Sequence, residues 1–382
     1  MGPATSIVIP TKNAGEGFRD VLEAIGRQKV PPAEVLVVDS GSSDNTPELA
    51  RQYGARTISI CPSAFNHGET RNLGLRETSS DFCVLLVQDA VPCHRDWLKN
   101  LVAPFADERV VGVSAKQEPR ADADPFGRLE VEWGNRLMGE AVLVSEVRKW
   151  NDFLALNLDE RVKLAWFNNV CSAVRRSFWE KHPFRSVPFA EDLDWSVRAL
   201  AAGRRIAYNP TARVIHSHSR SAVYNLNRQY VGHRIVPKLV QCPFAEARVY
   251  TDEEFLRQIG HLCGEVEFML RAELPGFPRR GLLRNTALAA QEMWQSLLAA
   301  MGLRPPRLDV RQTALGQHFY GLLDEIQRAE PACDSALRVH ILVQALARSV
   351  GVFTASYYNW CEAHGAVSPQ MRLLDQALSE GV

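Results

Sequence analysis

Ser6-Ile-Val-Ile-Pro-Thr-Lys-Asn13 and Glu34-Val-Leu-Val-Val-Asp-Ser-Gly-Ser-Ser-Asp44 decide how this chain is read. Each is a short Val/Ile-rich run that ends in a polar turn, as a buried strand does when it delivers its last side chains to a sheet edge. Between them Phe18, Val21, Leu22 and Ile25 recur at helical spacing within 17–28, so the unit is strand, helix, strand. The alternation continues with a helix over 46–53, a strand over 55–60, a helix over 70–77 and a strand over 82–88. This predicts an α/β domain with a mostly parallel central sheet, helices on both faces and ligands at the carboxyl ends of the strands. Thr11, Asp39 and Asp89 fall at those ends.

From about 122 to 166 the texture turns charged and irregular or helical; 167–175 then reads as a returning strand, and 205–208 and 212–216 as two short extended runs. Beyond about 240 the strand alternation stops. Thr251-Asp-Glu-Glu254 has capping-box spacing, and Phe255, Ile259, Leu262, Val266 and Met269 mark one helix face. Further helices are expected over 285–301, 309–328, 335–352 and 369–378, divided by Pro305-Pro306 and Pro331. A chain of 382 residues exceeds one ordinary core, and the break in texture divides it into 1–240, the α/β domain, and 241–382, a helical C-terminal domain.

Lys plus Arg and Asp plus Glu are equal at 44 each, which removes any global field toward nucleic acid or anionic lipid. The eight cysteines are scattered, with no C-x-x-C pair and no apolar leader at the start, an arrangement that points to reduced thiols in the cytoplasm. Apolar runs such as 84–87 fall far short of the ~20 residues that cross a bilayer, so the expectation is a protein not integral to a membrane. Peripheral association at the inner face stays open: Arg220, Arg228, Arg234 and Lys238 alternate with Tyr224, Leu226, Tyr230, Val231 and Ile235. An interfacial helix has this composition, and so has a solvated helix packed at a domain junction, which is the expectation preferred here.

Two segments carry concentrated acid: Val87-Gln88-Asp89-Ala90-Val91 and Phe189-Ala-Glu191-Asp192-Leu-Asp194-Trp195. Carboxylate clusters beside hydrophobic segments suit a cleft with a metal at one point and a general base at another.

The two strand ends, Ile9-Pro10-Thr11-Lys12-Asn13 and Val37-Val38-Asp39-Ser40-Gly41-Ser42-Ser43-Asp44, resemble the family-2 glycosyltransferases of the GT-A fold. Phe65-Asn66-His67-Gly68-Glu69-Thr70-Arg71-Asn72 narrows the resemblance to the rhamnosyltransferase branch, and the likeness runs from about 6 to 220. It implies a nucleotide-sugar site containing Pro10, Thr11, Asn13, Asp39 and Gly41, with Asp39 accepting the imide N–H of the base. The competing role for Asp39 is an Asx-turn or a cap for the helix near Thr46, which Asp44 could fill instead. His67 and Arg71, beside a glycine turn that opens a helix, offer donors to a diphosphate; a solvated surface arginine is the plainer alternative.

Where the wider family carries Asp-x-Asp, this chain has Gln88-Asp89-Ala90, so a Mg²⁺ or Mn²⁺ ion would take one carboxylate here and other ligands elsewhere. The resemblance offers His218 as the second protein ligand. His216 competes for that role, since strand alternation puts both on one face, and a structural histidine is the alternative for either. Glu191-Asp192 matches the family's Glu-Asp motif: Asp192 would deprotonate the acceptor hydroxyl and Glu191 brace the site, while Asp194 reads as a helix-face residue. An acidic first turn set against the helix dipole is the structural alternative. Asn169 or Ser172 could bond sugar hydroxyls or merely satisfy a loop, and Trp97 and Trp195 could stack on a sugar or belong to the core.

The resemblance therefore implies an inverting, metal-dependent glycosyltransferase that moves L-rhamnose from dTDP-rhamnose to a hydroxyl of a free or lipid-linked glycan in surface polysaccharide synthesis. The alternatives are a UDP- or GDP-linked donor, or a non-catalytic nucleotide-sugar-binding protein. A nicotinamide oxidoreductase would need G-x-G-x-x-G after the first strand, where this chain has Pro10-Thr-Lys-Asn-Ala-Gly15. The helical tail is left with three roles: acceptor binding, homo-oligomer formation, or contact with a partner enzyme.

Overall fold

The computed structural model describes residues 4–242, 249, 251–274 and 309–380. The chain forms two compact units, the first made of 1–123, 130–218 and 236–242, the second of 124–129, 219–235 and 243–382. The boundary read at 240 thus becomes a more interleaved one, with 124–129 and 219–235 belonging to the helical unit.

The first unit is built on a nine-stranded sheet: β1 Thr5–Thr11, β2 Glu34–Asp39, β3 Arg56–Ser59, β4 Phe82–Leu86, β5 Val91–Pro92, β6 Val110–Glu118, β7 Leu143–Ser145, β8 Cys171–Arg175 and β9 Arg205–Ile215. The order is β3-β2-β1-β4-β8-β6-β9-β5, with β7 also paired to β9. From β3 to β4 every pairing is parallel, β8 runs against both β4 and β6, and β6 and β9 are parallel again. The parallel half matches the strand-helix alternation, whereas the reversed β8 follows the long insert that separates it from β6.

β1 and β4 are buried almost throughout because both faces are covered. Ile7, Ile9, Val37, Val84 and Leu86 meet Phe18, Val21, Leu22 and Ile25 of the helix Phe18–Gly26 on one side. Val8, Leu36, Val38, Cys83 and Leu85 share the other side with Leu75, Phe178, Trp179, Phe184 and Trp195. Trp97 and Trp195 are both wholly buried in these cores, which removes them as sugar platforms.

Two departures from the sequence reading have local causes. β6 was not anticipated, since Gly112 interrupts its apolar run; a Cβ there would stand 2.7 Å from the Trp195 ring. The runs at 205–208 and 212–216 prove to be one strand, β9, whose register against β6 jumps from Ala115↔Asn209 to Lys116↔Arg213. Pro210, which lacks an N–H for the ladder, lies in that jump.

In the second unit the helices Asp252–Glu273, Ala314–Ala329, Ser335–Ala363 and Pro369–Ser379 start at Thr251, Thr313, Asp334 and Ser368, each of which accepts an N–H from the first turn. The helix expected over 285–301 and the Pro305-Pro306 divider lie outside the described residues. Ser335–Ala363 is long and apolar enough to cross a membrane, yet half of its most apolar window is buried inside the protein. Its polar residues are bonded within the unit: Gln344 takes the Asn225 amide at 2.7 Å and Asn359 the Arg234 guanidinium at 2.8 Å. Tyr230 is likewise buried with its hydroxyl 2.6 Å from Asp375, so this part of the basic-aromatic stretch is packed against the helical unit.

Candidate active site

The site lies along the carboxyl edge of the first unit's sheet. β1 and β2 finish level, Thr11 opposite Asp39 and Pro10 opposite Val38, and both chains then turn through left-handed residues, Asn13 at φ 47° and Gly41 at φ 76°. A side chain at Gly41 would also meet Pro62, with its Cβ 2.7 Å from Cγ. Asp39 is only 3 % exposed. Its Oδ1 accepts from the hydroxyls of Thr11 at 3.2 Å and Ser42 at 2.5 Å, and its Oδ2 from the N–H groups of Gly41 at 3.1 Å and Ser42 at 3.0 Å. A carboxylate has about four acceptor positions, so Asp39 is filled by its own turn, and a base imide would have to replace one of these donors.

Asp44 laces the two turns, taking Thr46 N–H at 3.1 Å and Gly15 N–H at 3.0 Å; hydrogen bonds from Thr46 foremost hold its carboxyl below the usual range. Asn13 completes the lacing by accepting Ser43 N–H at 2.8 Å.

Gln88 has a definite function in place of an acid. Its Oε1 accepts Lys12 N–H at 2.8 Å and its Nε2 donates to Lys12 carbonyl at 3.3 Å, tying the turn after β4 to the end of β1. A carboxylate could make only the first of these bonds. Asp89, next along, faces both histidines that the sequence left as alternatives: its oxygens lie 3.7 Å from His216 Nε2 and 3.5 Å from His218 Nδ1.

The histidine geometry suits a cation. His216 Nδ1 is 2.9 Å from Gln117 Oε1, an acceptor, which puts the ring proton on Nδ1 and leaves the Nε2 lone pair directed into the cluster. That Nε2 lies 3.1 Å from His218 Nε2. Adjacent ligands about 2.1 Å from an octahedral ion stand about 3 Å apart. Donor atoms from Asp89, His216 and His218 all fall within 4.8 Å of one another, so a carboxylate oxygen and two imidazole nitrogens could hold one metal ion.

The second acid cluster opens the helix Glu191–Ala201. Ala190 precedes it in the left-handed region, at φ 58° and ψ 48°, a conformation that an L-residue with a Cβ adopts at a cost of about 1–2 kcal/mol. Glu191 Oε1 accepts Arg71 Nη1 at 2.9 Å and Asn169 Nδ2 at 3.1 Å; Asp192 accepts Asn169 N–H at 3.0 Å and Leu193 N–H at 2.9 Å. Burial opposes ionisation of Glu191, but the Arg71 guanidinium and the Asn169 amide outweigh it and hold its carboxyl below the usual range. Asp192 is pushed up to about 6 by burial first and by the neighbouring Glu191 charge second. Asp194 pairs with Arg198 at 2.9 Å, as a helix-face residue does.

Arg71, read from the sequence as a diphosphate ligand, is 4 % exposed and engaged with Glu191 and, at 3.0 Å, with the His67 carbonyl. Among the described residues its Nε has no hydrogen-bond partner. The N–H groups of Gly68 and Glu69 are also committed, both to Asn66 Oδ1, at 3.0 and 3.1 Å. The start of the helix His67–Arg76 is therefore not an open anion cradle, and His67 and the acidic Glu69 are the exposed residues of its first turn. Asn169 and Ser172 bond each other at 2.8 Å, both buried, which makes them part of the frame.

Direct bonds join these groups. Thr11 meets Asp39, the next residue Lys12 meets Gln88, Val87 N–H reaches the Val170 carbonyl at 3.0 Å, and Asn169 holds both acids of the helix. Gln88, Gln117 and Ala190 were not recognised as site residues in the sequence. Gln88 was visible only as a missing acid, Gln117 sits at the end of the unanticipated β6, and the left-handed turn at Ala190 has no glycine or asparagine to announce it.

Comparison with known proteins agrees with this architecture. The Glycosyl transferase family 2 profile matches residues 6–178. The chain is 33% identical over 233 residues to the O-antigen chain rhamnosyltransferase WbaN of Salmonella anatum, covering 60% of this chain and 70% of that one. It is 34% identical over 220 residues to the O-antigen chain rhamnosyltransferase RfbN of Salmonella typhimurium, covering 56% and 66%. The mannosyltransferase PcManGT of Pyrobaculum calidifontis, solved with GDP-Man and Mn²⁺, superposes with a TM-score of 0.51 at 17% identity, over 92% of this chain and 87% of that one. The chain belongs to glycosyltransferase family 2 and has the GT-A fold.

Proposed function

We propose that this glycosyltransferase moves L-rhamnose from dTDP-rhamnose to a hydroxyl of a free or lipid-linked glycan during surface polysaccharide synthesis, with inversion at the anomeric carbon. The observation that carries the reaction type is Asp192, an acid raised to about 6 and bonded into the same strand edge as the Asp89 cluster. Likeness to two O-antigen rhamnosyltransferases supports the sugar and the pathway class.

Asp192 takes the proton of the acceptor hydroxyl as that oxygen attacks the anomeric carbon from the side opposite the diphosphate. The new C–O bond forms, the bond to the diphosphate breaks, and dTDP leaves with the electron pair. Glu191, kept ionised by Arg71, braces Asp192 through the shared Asn169. A divalent ion held by Asp89, His216 and His218 would offset the charge of the leaving diphosphate. Mg²⁺ and Mn²⁺ are the candidates; the two imidazoles favour Mn²⁺, because Mg²⁺ prefers an all-oxygen shell. Eight unpaired cysteines agree with work in the cytoplasm, with any membrane contact peripheral, and self-association is a further property to measure.

Asp39, already filled by its own turn, gives reason to include UDP- and GDP-linked donors in the test. The protein is incubated with dTDP-rhamnose and with those donors, with Mn²⁺ and a glycan acceptor panel, and products are read by mass spectrometry. Transfer from dTDP-rhamnose that Asp192→Asn abolishes supports the proposal. Transfer only from another donor overturns the sugar assignment, and nucleotide binding with turnover unaffected by Asp192→Asn overturns the base.

A further inference from the structure

We infer that Trp133 and Trp166 form a stacking platform for a pyranose ring of the acceptor, a subsite that rests on the transferase function proposed above. Trp133, on the helix Pro125–Met138, is 49% exposed, and its ring centroid lies 6.3 Å from that of the partly buried Trp166, the two planes tilted by 54°. Isolated surface aromatics are common, but this pair is built. Gly134 stands inside the helix, where glycine costs about 1 kcal/mol relative to alanine. A Cβ there would stand 3.0 Å from Trp166 Cη2 and 3.2 Å from Cζ2, so the glycine is what lets the second indole lie beside the first.

The platform is tied to the reacting groups from both sides. Only two residues lie between Trp166 and Asn169, a path of three steps and at most about 11 Å even when fully extended. Asn169 N–H is itself 3.0 Å from the Asp192 carboxylate. On the other side Asn135, two residues beyond Trp133, donates to the Gln117 carbonyl at 2.9 Å, and Gln117 carries His216. A pyranose presents a face of C–H groups that stacks on an indole while its hydroxyls stay outward, free to meet a base. Glu132 and Arg136, 4.0 Å apart on the same helix, supply a polar rim beside the aromatic pair.

The test uses the full chain and saturation-transfer difference NMR with methyl α- and β-pyranosides of galactose, glucose, mannose and rhamnose. The expected result is ring C–H saturation for at least one of them, weakened at least tenfold in Trp133→Ala and restored in Trp133→Phe, with Tm and dTDP binding unchanged. Equal signals from wild type and Trp133→Ala, or no signal from any pyranoside in the wild type, overturn the platform. Pyranoside saturation is read without nucleotide, so a protein that fails to bind dTDP would fault the proposed reaction and leave this result standing on its own.

Discussion

The two acid clusters of the site are made of the same functional group, and the proposed mechanism gives them opposite tasks. Around Glu191 and Asp192 the charge is compensated from inside: Arg71 neutralises Glu191, and Asn169 gives a donor to each carboxylate. Around Asp89 stand the imidazoles of His216 and His218, and the Gln117 contact leaves His216 with an acceptor nitrogen there in place of a proton. Compensation from within leaves a carboxylate near neutral pH free to exchange protons; a carboxylate grouped with imidazole acceptors is an arrangement that a cation from outside can stabilise.

The largest effect expected from this contrast is on turnover. Asp192→Asn keeps the size and the Asn169 contact of Asp192 but removes the proposed base, so kcat should fall by about 10²–10⁴ with nucleotide affinity unchanged. Equal losses in kcat and in affinity would mean that Asp192 holds the donor, and the distinction between the clusters would collapse. Next comes the metal cluster. Asp89→Ala should abolish Mn²⁺-dependent nucleotide binding in calorimetry. Gln117→Leu, which leaves every ligand atom in place and frees the His216 tautomer, should weaken Mn²⁺ by about 10–100-fold.

The acid limb of the rate profile sharpens the comparison further. Asp192 must be ionised to act, so kcat should fall tenfold per unit below pH about 6 and level off above it. Glu191→Gln removes the like charge that helps to raise Asp192, so the limb should move to lower pH; burial, the larger cause, remains and keeps the move partial. A limb that stays in place would assign the whole shift to burial.

Much of the parallel half of the sheet was legible because it obeys one local rule: apolar runs ending in polar turns, separated by helices of clear period. Thr11, Asp39 and Asp89 were located this way, whereas His218 came from the family resemblance with His216 as its competitor, and both lie just past the end of β9 at Ile215. What sequence could not carry were relations between segments far apart in the chain. That Asp39 would be filled by Thr11 and its own turn, that Arg71 would face Glu191 across 120 residues, and that both histidines would share Asp89 depend on which strand ends meet. The two tryptophans proposed for sugar stacking, Trp97 and Trp195, illustrate the same limit: an aromatic at helical spacing has no sign that tells core from cleft until its neighbours are known.

The smallest expected effect concerns the residue that aims the acid pair. Ala190 holds a left-handed conformation immediately before Glu191, at a cost of about 1–2 kcal/mol. Glycine would relieve that strain, while its freer unfolded chain gives back about 0.4–1 kcal/mol. The difference predicts that Ala190→Gly stabilises the protein by about 0.5–1 kcal/mol in urea unfolding of the first unit. If the alanine Cβ serves only as a tolerated cost, activity should be unchanged. Higher stability together with a fall in kcat would show instead that the stiffness of this turn helps to keep Asp192 against Asn169, since a glycine widens the set of angles at which the helix can begin.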